Sequence, residues 1–438
     1  MKPKQFLLVL AVLAAGIFTT SCIQDSCNST KLYRLYTPVY ETMSNVRQMV
    51  GVEGPRALET PGKIYVYGKY LFINEKGQGI HIVNIENKAN PANEAFIKIP
   101  GNIDMAVKGS YLYADNFIDL VVFDLSNLNN IQEVGRELSV FPENVSVHER
   151  AGSWLVDKSQ GVAIDWEVEE IEVDCNQSGS SLVRGNVLMA DDVSTLSSGG
   201  GSGQNESTGS GAGTGGSMAR FTIMSGNLYV IDEAGSMHLF DLATPNDPSK
   251  IGDIDIAWNI ETIFPYTRGN EQYLFIGAQD GMYIYDNNNP TAPTQISKFV
   301  HVSSCDPVVA EDSMAFVTLR NGTECEGYTN ELQLIDIRNL NVPSLIETYN
   351  MYNPHGLGVD NGLLFICDAD EGLKIYDLRE TTENVDKNLI KQFDGLFAYD
   401  VIPYNGTLLL SSADGMYLID YSNVNDIKIV SKLSTALQ

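Results

Sequence analysis

Short apolar runs that end on an aspartate or asparagine recur along the whole chain. The first clear case is YLFINEKGQGIHIVNIENKANP (70–91), which predicts two strands joined by a glycine turn and followed by a polar turn. The second of these strands has six later counterparts: LVVFD (120–124), MHLFD (237–241), MYIYD (282–286), LQLID (332–336), LKIYD (373–377) and MYLID (416–420). Regular recurrence of one unit is the signature of a repeat architecture, so the repeat predicts the fold before any single motif does.

Seven modules of about 40 residues follow from this periodicity, and each contains four strand-like segments. They span 62–99, 101–137, 218–256, 258–300, 303–351, 353–395 and 396–434. In LKIYD and MYLID both alternating faces are apolar or aromatic, as expected when each sheet lies between two others. The pattern therefore predicts an all-β fold, a single β-propeller of seven four-stranded blades over 62–438. Eight blades are the alternative if 138–175 forms its own sheet, and six if one module is incomplete.

An insertion at 138–217 interrupts the series between the second and third modules. GVAIDW (161–166) and EEIEV (169–173) are strand-like and are expected to extend module two or three as a hairpin. The stretch 197–217 has no apolar residue larger than alanine, so it predicts a long mobile Gly/Ser loop. Ahead of the first module, 22–61 is a linker without strand alternation, in which Thr42–Met49 is expected to form a short helix.

The residues that end the repeated strands are expected to be structural. Aspartate stands there at positions 124, 241, 286, 336, 377 and 420, where its side chain can bond its own backbone as the strand ends. His81 and His238 lie on these strands without acidic or nucleophilic residues at a useful spacing, so no catalytic role is assigned to them.

Charge narrows the classes of partner. The net charge of −28 comes from 56 acidic and 28 basic residues that are spread along the chain. Lys and Arg form no stripe, which argues against nucleic-acid binding through phosphate neutralisation and against docking to an anionic lipid surface.

The N-terminus has the organisation of a secretory signal over residues 1–21. Lys2 and Lys4 precede an apolar run (6–18) that is too short to span a bilayer. The following TTSC (19–22) resembles the bacterial lipobox, although Thr19 replaces the usual leucine, and Asp25 resembles surface-export signals of Bacteroidetes lipoproteins. This resemblance implies a diacylated Cys22 as lipid anchor and an outer-membrane, surface-exposed envelope protein. Ordinary cleavage nearby, which leaves Cys22 a plain thiol, is the alternative.

Five further cysteines are present, and an envelope location permits disulfides. Cys305 and Cys325 fall in one module and are the best candidate pair, whereas a bond between Cys27 and Cys175 is a conjecture. Cys367 lies inside an apolar strand and is predicted to be a buried thiol. No CxxC pair or Cys/His cluster occurs, so no zinc site is predicted.

The LVVFD, LQLID and MYLID series, together with 70–91, resembles the LVIVD-repeat β-propeller proteins, many of which are Bacteroidetes lipoproteins. The resemblance covers about 62–138 and 217–434. It implies a secreted or surface propeller and no particular activity, because a fold does not specify a function.

A candidate site follows from the position at which each innermost strand starts. Alignment of the modules places one polar residue of each near the channel mouth, with a one-residue ambiguity in modules five and six: Lys63, Asp104, Arg220, Glu261, Asp306, His355 and Asp400. Such a ring can bind Ca²⁺ or sugar hydroxyls, or supply a general acid and base. Alternatively, each side chain bonds loop amides of a neighbouring blade and ties the ring together. Asp306, His355 and Asp400 are the strongest candidates because their modules are consecutive.

Two functions stay open. The first is a non-catalytic binding or scaffold module for a protein or glycan partner. The second is an envelope glycan hydrolase or lyase that uses the carboxylates of the ring. The sequence favours the first, because it has only three tryptophans to form sugar platforms and no GxSxG, HExxH or other nucleophile-base motif. No cofactor is predicted, and calcium is the alternative.

Overall fold

The computed structural model of the chain describes residues 30–146, 155–174, 187–190, 213–232, 234–257, 260–302, 307–321, 329–380 and 385–436. The chain divides into two compact units. The larger unit comprises residues 38–165 and 196–438 and contains the propeller. The smaller unit comprises residues 1–37 and 166–195 and contributes to one three-stranded sheet.

The elements ahead of the propeller are β1 (Thr30–Glu41), helix α1 (Met43–Met49) and β2 (Gly51–Glu53). Blade 1 contains β3 (Pro61–Tyr67), β4 (Tyr70–Glu75), β5 (Gly79–Asn84) and β6 (Ala92–Lys98), and blade 2 contains β7 (Met105–Lys108), β8 (Tyr111–Asn116), β9 (Asp119–Asp124) and β10 (Gln132–Glu137). The insertion contributes β11 (Val162–Asp174), β12 (Val187–Ala190) and β13 (Thr214–Gly215). Blade 3 then contains β14 (Phe221–Met224), β15 (Asn227–Ile231), β16 (Ser236–Asp241) and β17 (Ser249–Asp255).

Blade 4 contains β18 (Ile260–Arg268), β19 (Glu271–Ala278), β20 (Gly281–Asp286) and β21 (Thr294–Phe299), and blade 5 contains β22 (Val308–Glu311), β23 (Met314–Leu319), β24 (Glu331–Asp336) and β25 (Ser344–Asn350). Blade 6 contains β26 (Leu357–Asp360), β27 (Leu363–Cys367), β28 (Leu373–Asp377) and β29 (Leu389–Phe393). Blade 7 contains β30 (Ala398–Tyr404), β31 (Thr407–Ser412), β32 (Gly415–Asp420) and β33 (Lys428–Ser434). Short 3₁₀ helices lie at Leu128–Asn130 and Val385–Asn388.

The seven blades form one closed ring, which confirms the predicted seven-bladed propeller. Each blade is an antiparallel sheet whose first strand is innermost, and β3, β7, β14, β18, β22, β26 and β30 contact one another in that order, with β30 returning to β3. The repeated third strands are buried on both faces, as Leu120, Val121 and Val122 in β9 illustrate. Blade numbers of six and eight are therefore wrong.

Two local features recur from blade to blade and explain the repeated sequence. In all seven blades the pairing between the third and fourth strands shifts register by one residue, a bulge that adds twist to the outer part of the sheet. The aspartate that ends each third strand accepts a hydrogen bond from the backbone N–H two residues later, at 2.8–3.2 Å, and Asn84 does the same in blade 1. The prediction that these residues form turns is confirmed.

From residue 38 onwards, the linker contacts three blades. Helix α1 is confirmed, with Thr42 as its N-cap, and its Arg47 is ion-paired with Asp119 of blade 2 at 2.7 Å. Strand β2 then adds to the outer edge of β6 in blade 1. Finally Leu58 pairs with Thr435, directly after β33 of blade 7.

Strand β1 was not predicted, because KLYRLYTPVYE lacks the alternation that a half-buried strand shows. It forms the centre of the sheet β11–β1–β12. The expectation that 161–173 extends module two or three is wrong, since β11 pairs with β1 instead. The predicted mobile loop lies outside the described residues up to position 212, whereas its last five residues, 213–217, are placed and include β13.

Within the part of the chain that the structure describes, no helix has the length and apolar character required to span a bilayer.

Gly415 tests the conformation of the turn between the second and third strands of blade 7, called the corner below. It opens β32 at φ 138°, and a Cβ here would overlap the carbonyl oxygen of Leu433 on the next strand. We expect Gly415→Ala to lower the free energy of unfolding by about 1–3 kcal/mol, because it strains the backbone and displaces the β32–β33 pairing. Urea denaturation measures the loss.

The matched control is Gly252→Ala in β17, where an added Cβ meets no heavy atom within 4 Å. We expect a change below about 0.5 kcal/mol at this position. Equal losses in the two variants would contradict the role given to the corner glycine.

Candidate functional site

Six of the seven predicted ring residues lie at the same end of the innermost strands. Lys63, Glu261 and Asp400 fall within β3, β18 and β30, while Asp104, Arg220 and His355 precede β7, β14 and β26 by one or two residues. Asp306 lies outside the described residues. The end at which these strands start, together with the turns between the second and third strands, is called the channel mouth below.

Asp104 and Lys63 form the best-defined contact of the ring, across the boundary between blades 1 and 2. Lys63 Nζ lies 2.8 Å from Asp104 Oδ2, which also accepts the backbone N–H of Arg220 at 2.5 Å. Oδ1 of Asp104 accepts the backbone N–H of Met105 at 2.7 Å. Burial lowers the pKa of Lys63, although the Asp104 carboxylate opposes this shift. This carboxylate thus joins three consecutive blades.

Asp115 lies behind Asp104, at the end of β8, and sequence reasoning missed it. Its Oδ1 accepts Asn102 Nδ2 at 2.9 Å and the backbone N–H of Asp104 at 2.8 Å, and both carboxylate oxygens lie near the N–H of Ile103 at 3.0–3.1 Å. Burial raises the pKa of Asp115 to about 7, against these hydrogen bonds. The carboxyl group fixes the loop that leads into the innermost strand.

His355 occupies a buried position between blades 5, 6 and 7. Arg320 Nη1 lies 2.5 Å from its Nδ1 and 3.1 Å from its Nε2, and the ring packs edge-on against Phe397 and Tyr399. Burial lowers the pKa of His355 well below its usual value, and the charge of Arg320 acts in the same direction. The histidine is therefore a neutral acceptor for the arginine.

Asp400 is buried at the start of blade 7, close to the Cys367 thiol. Burial and the neighbouring Asp400 and Asp368 carboxylates raise the pKa of Cys367 well above its usual value. This thiol is fully buried in β27, which confirms the prediction for Cys367. The candidate disulfide Cys305–Cys325 and the lipid-anchor residue Cys22 lie outside the described residues.

The channel itself contains residues 213–219 of the same chain. β13 pairs with Tyr65 and Val66 of β3, and Gly213 donates its N–H to Val107 of β7. Ser217 Oγ accepts the N–H of Leu357 in blade 6 at 3.4 Å, and Ala219 C=O accepts the N–H of Ile263 in blade 4 at 2.9 Å. A segment that reaches the innermost strands of blades 1, 2, 4 and 6 lies inside the ring.

Two small hollows lie near the channel. One is open to solvent and lies between residues 213–216 and the innermost strands of blades 3 and 4. The other lies at the mouth and is lined by Asp104, Asp115, Asn144 and Arg220. Residues 213–219 therefore occupy part of the channel between the innermost strands.

The statement that His81 and His238 lack acidic company is wrong. His81 Nε2 lies 2.8 Å from Glu75 Oε2, and His238 has a carboxylate at each ring nitrogen, Asp253 at 2.6 Å and Asp232 at 3.1 Å. Each histidine lies six residues after the acid that precedes the turn between the second and third strands. Lys374 has the same spacing from Asp368, and its Nζ lies 2.6 Å from that carboxylate. The six-residue spacing across a tight turn could have predicted these contacts from the sequence.

Glu75 shows what these corner acids do. Its carboxylate accepts the N–H groups of Glu59 and Thr60 in the loop before β3, in addition to the His81 contact. Burial alone would raise the pKa of Glu75, but these hydrogen bonds outweigh it and lower the value to about 2. Asp368 likewise accepts the N–H groups of Tyr352 and Asn353 ahead of β26. These groups hold loops in place.

Among the described residues, no group of three or more His, Cys, Asp or Glu side chains is arranged to hold a metal ion.

Comparison with known proteins identifies LVIVD repeats at residues 62–96 and 102–138, which correspond to blades 1 and 2. With the seven-bladed ring, these repeats are consistent with an LVIVD repeat β-propeller protein, as the resemblance implied. No curated protein matches the chain significantly in sequence.

Several solved structures are similar in fold. A functionally unknown protein from Desulfotomaculum acetoxidans DSM 771 is 10% identical, with a TM-score of 0.50 over 85% of this chain and 95% of that one. The periplasmic gluconolactonase PpgL of Pseudomonas aeruginosa is 8% identical (TM-score 0.49, 92% and 96%), and BamB from Moraxella catarrhalis is 9% identical (TM-score 0.45, 79% and 80%). At such low identity the likeness concerns the fold alone.

The raised pKa of Asp115 predicts how the stability of the channel mouth depends on pH. A carboxyl with a pKa near 7 in the folded protein and about 3.9 in the unfolded chain binds more protons when folded between those values. Its contribution to stability is therefore complete below about pH 4 and is lost as the pH rises towards 7, with a slope of at most about 1.4 kcal/mol per pH unit.

Asp115→Asn removes this contribution. We expect the difference in unfolding free energy between wild type and variant to shift in favour of the variant from pH 4 to pH 7, measured by urea denaturation. Parallel pH profiles for the two proteins would contradict a raised pKa at Asp115.

Proposed function

We propose that this protein is a non-catalytic binding or scaffold module of the bacterial cell envelope, held to the outer membrane through a lipid on Cys22. In this proposal the propeller is a rigid platform, and its loops form the recognition surface for a protein or glycan partner. The leader-like sequence, the lipobox resemblance and the LVIVD repeats support it.

The observation that carries the proposal is the occupied channel. Residues 213–219 pair with β3 and bond to the innermost strands of blades 2, 4 and 6. A substrate that used several ring carboxylates at once would need the space that this segment fills. Recognition at the outer loops has no such conflict.

The engagement of the ring groups also supports a structural role for them. Asp104 neutralises Lys63 and caps two backbone amides, while Arg320 donates to His355. Carboxylates that are saturated by protein donors are poorly suited to bind a substrate or transfer its proton. The ring is then part of the scaffold.

One observation favours an envelope glycan hydrolase or lyase as second candidate. Asp115 has a pKa raised to about 7 and lies beside Asp104, which is paired with Lys63. A buried carboxyl group with a raised pKa beside a second carboxylate is found in acid/base catalysis. Against this, Asp115 is buried and accepts hydrogen bonds from three different residues.

Asp104→Asn separates the two functions. Under the scaffold proposal we expect a loss of about 2 kcal/mol or more in unfolding free energy, because a buried lysine loses its counter-ion. The control Asp414→Asn, at a half-exposed pair with Lys432, should lower the unfolding free energy by less than about 1 kcal/mol.

The second measurement uses the wild-type protein with envelope polysaccharides. Calorimetry should detect binding, and no new reducing or unsaturated sugar ends should be released.

The hydrolase or lyase predicts the reverse. Sugar ends would then accumulate with wild-type protein, and Asp104→Asn would abolish this turnover while leaving the unfolding free energy near that of wild type. Such a result would overturn the scaffold proposal.

The lipid anchor is tested by metabolic labelling with a palmitate analogue. We expect label on the wild-type protein and none on Cys22→Ala, with the variant released from the membrane fraction, because one residue carries both acyl chains. Cys367→Ala is the control and should stay labelled, since that thiol is buried in the folded blade. An unlabelled wild type would rule out the anchor.

A further inference from the structure

The ring has a seam between blades 1 and 7, where the two ends of the propeller chain meet. Blade 7 consists of the four consecutive strands β30–β33, and blade 1 consists of β3–β6, extended by β2 and β13, so neither blade combines described strands from both ends of the chain. Apolar side chains of blade 1, such as Ile64 and Leu71, pack there against Ile402 and Leu409 of blade 7. The described backbone pairing across the seam is the short bridge between Leu58 and Thr435.

Residues 213–219, called the axial segment below, connect blades that are not neighbours. The β13–β3 pairing fixes the segment to blade 1, and the Gly213 N–H binds blade 2. Beyond a turn closed by the N–H of Ala219 and the C=O of Gly216, the segment bonds to blades 4 and 6. These bonds therefore run across the channel and not only around it.

Two glycines of the axial segment lie so close to β3 that a larger residue would not fit. A Cβ at Gly213 would overlap the Tyr65 ring and lie 2.5 Å from the carbonyl oxygen of Val66. At Gly215 it would lie 3.0 Å from both the Tyr65 ring and the Ala219 Cβ. The Gly-rich composition at these two positions thus permits close approach to β3, in addition to any effect on chain flexibility.

From these contacts we infer that the axial segment is the device that holds the ring closed at its seam. Because blades 1 and 7 are the two ends of the propeller chain, the ring can open between them without any covalent connection opposing the movement. Bonds from one segment to blades 1, 2, 4 and 6 oppose the outward movement of blade 1 that such opening requires. The segment replaces the shared blade by which the two ends of the chain would otherwise be joined.

The test is hydrogen–deuterium exchange of the full-length protein carrying Gly213→Val and Gly215→Val, which prevent the segment from reaching β3. We expect amides of β30 in blade 7, across the seam, to exchange roughly tenfold faster than in wild type, together with those of β3. The melting temperature should fall. Gly252→Ala is the control and should exchange as wild type.

A milder variant covers the case in which the double variant does not fold. Ser217→Ala removes the one side-chain bond to Leu357 and leaves both glycines in place. It should accelerate exchange at β30 by a smaller factor and leave blade 4 unchanged. Faster exchange confined to β3 and β7 in the double variant, or unchanged exchange at β30 in both variants, would overturn the inference.

Discussion

Burial of every blade on both faces is the constraint on which this structure depends. The third strand of blade 2 shows it directly, since Leu120, Val121 and Val122 are all inaccessible although they alternate between faces. An isolated sheet of this composition would expose two apolar faces, so stability requires two neighbours for every blade. That requirement is met only when the ring closes, and it makes the seam between blades 1 and 7 the critical boundary.

Polar residues at the channel mouth follow from the same constraint. The loops that lead into the innermost strands of blades 1, 2 and 6 bring backbone N–H groups to the channel mouth, where buried carboxylates accept them. Glu75, Asp115 and Asp368 supply these carboxylates in blades 1, 2 and 6. Glu75 and Asp368 in turn contact His81 and Lys374 on the adjacent strand. Many polar groups at the mouth that resemble catalytic residues are therefore explained by the backbone N–H groups that they bind.

Sequence periodicity predicts the blades well because each repeated strand is a local structure. The aspartate turns are formed within two residues, so Asp286 or Asp420 could be assigned a role from its neighbours alone. The six described ring positions lie where the innermost strands start, and their role as a binding site stays a prediction. The partners of those residues were not predictable: Lys63 meets Asp104 from 41 residues away, and Arg320 meets His355 from 35.

The amino-acid sequence by itself determined the strands of the blades and their turns, because these depend on contacts within one module, and the number of repeats indicated seven blades. The tertiary structure alone decided what occupies the channel and which charges neutralise each other. A Gly/Ser-rich segment carries no apolar pattern, so the docking of Thr214 and Gly215 on β3 has no local signal. It is fixed by the space that remains once seven sheets have closed around an axis, and that space does not exist until the whole ring has formed.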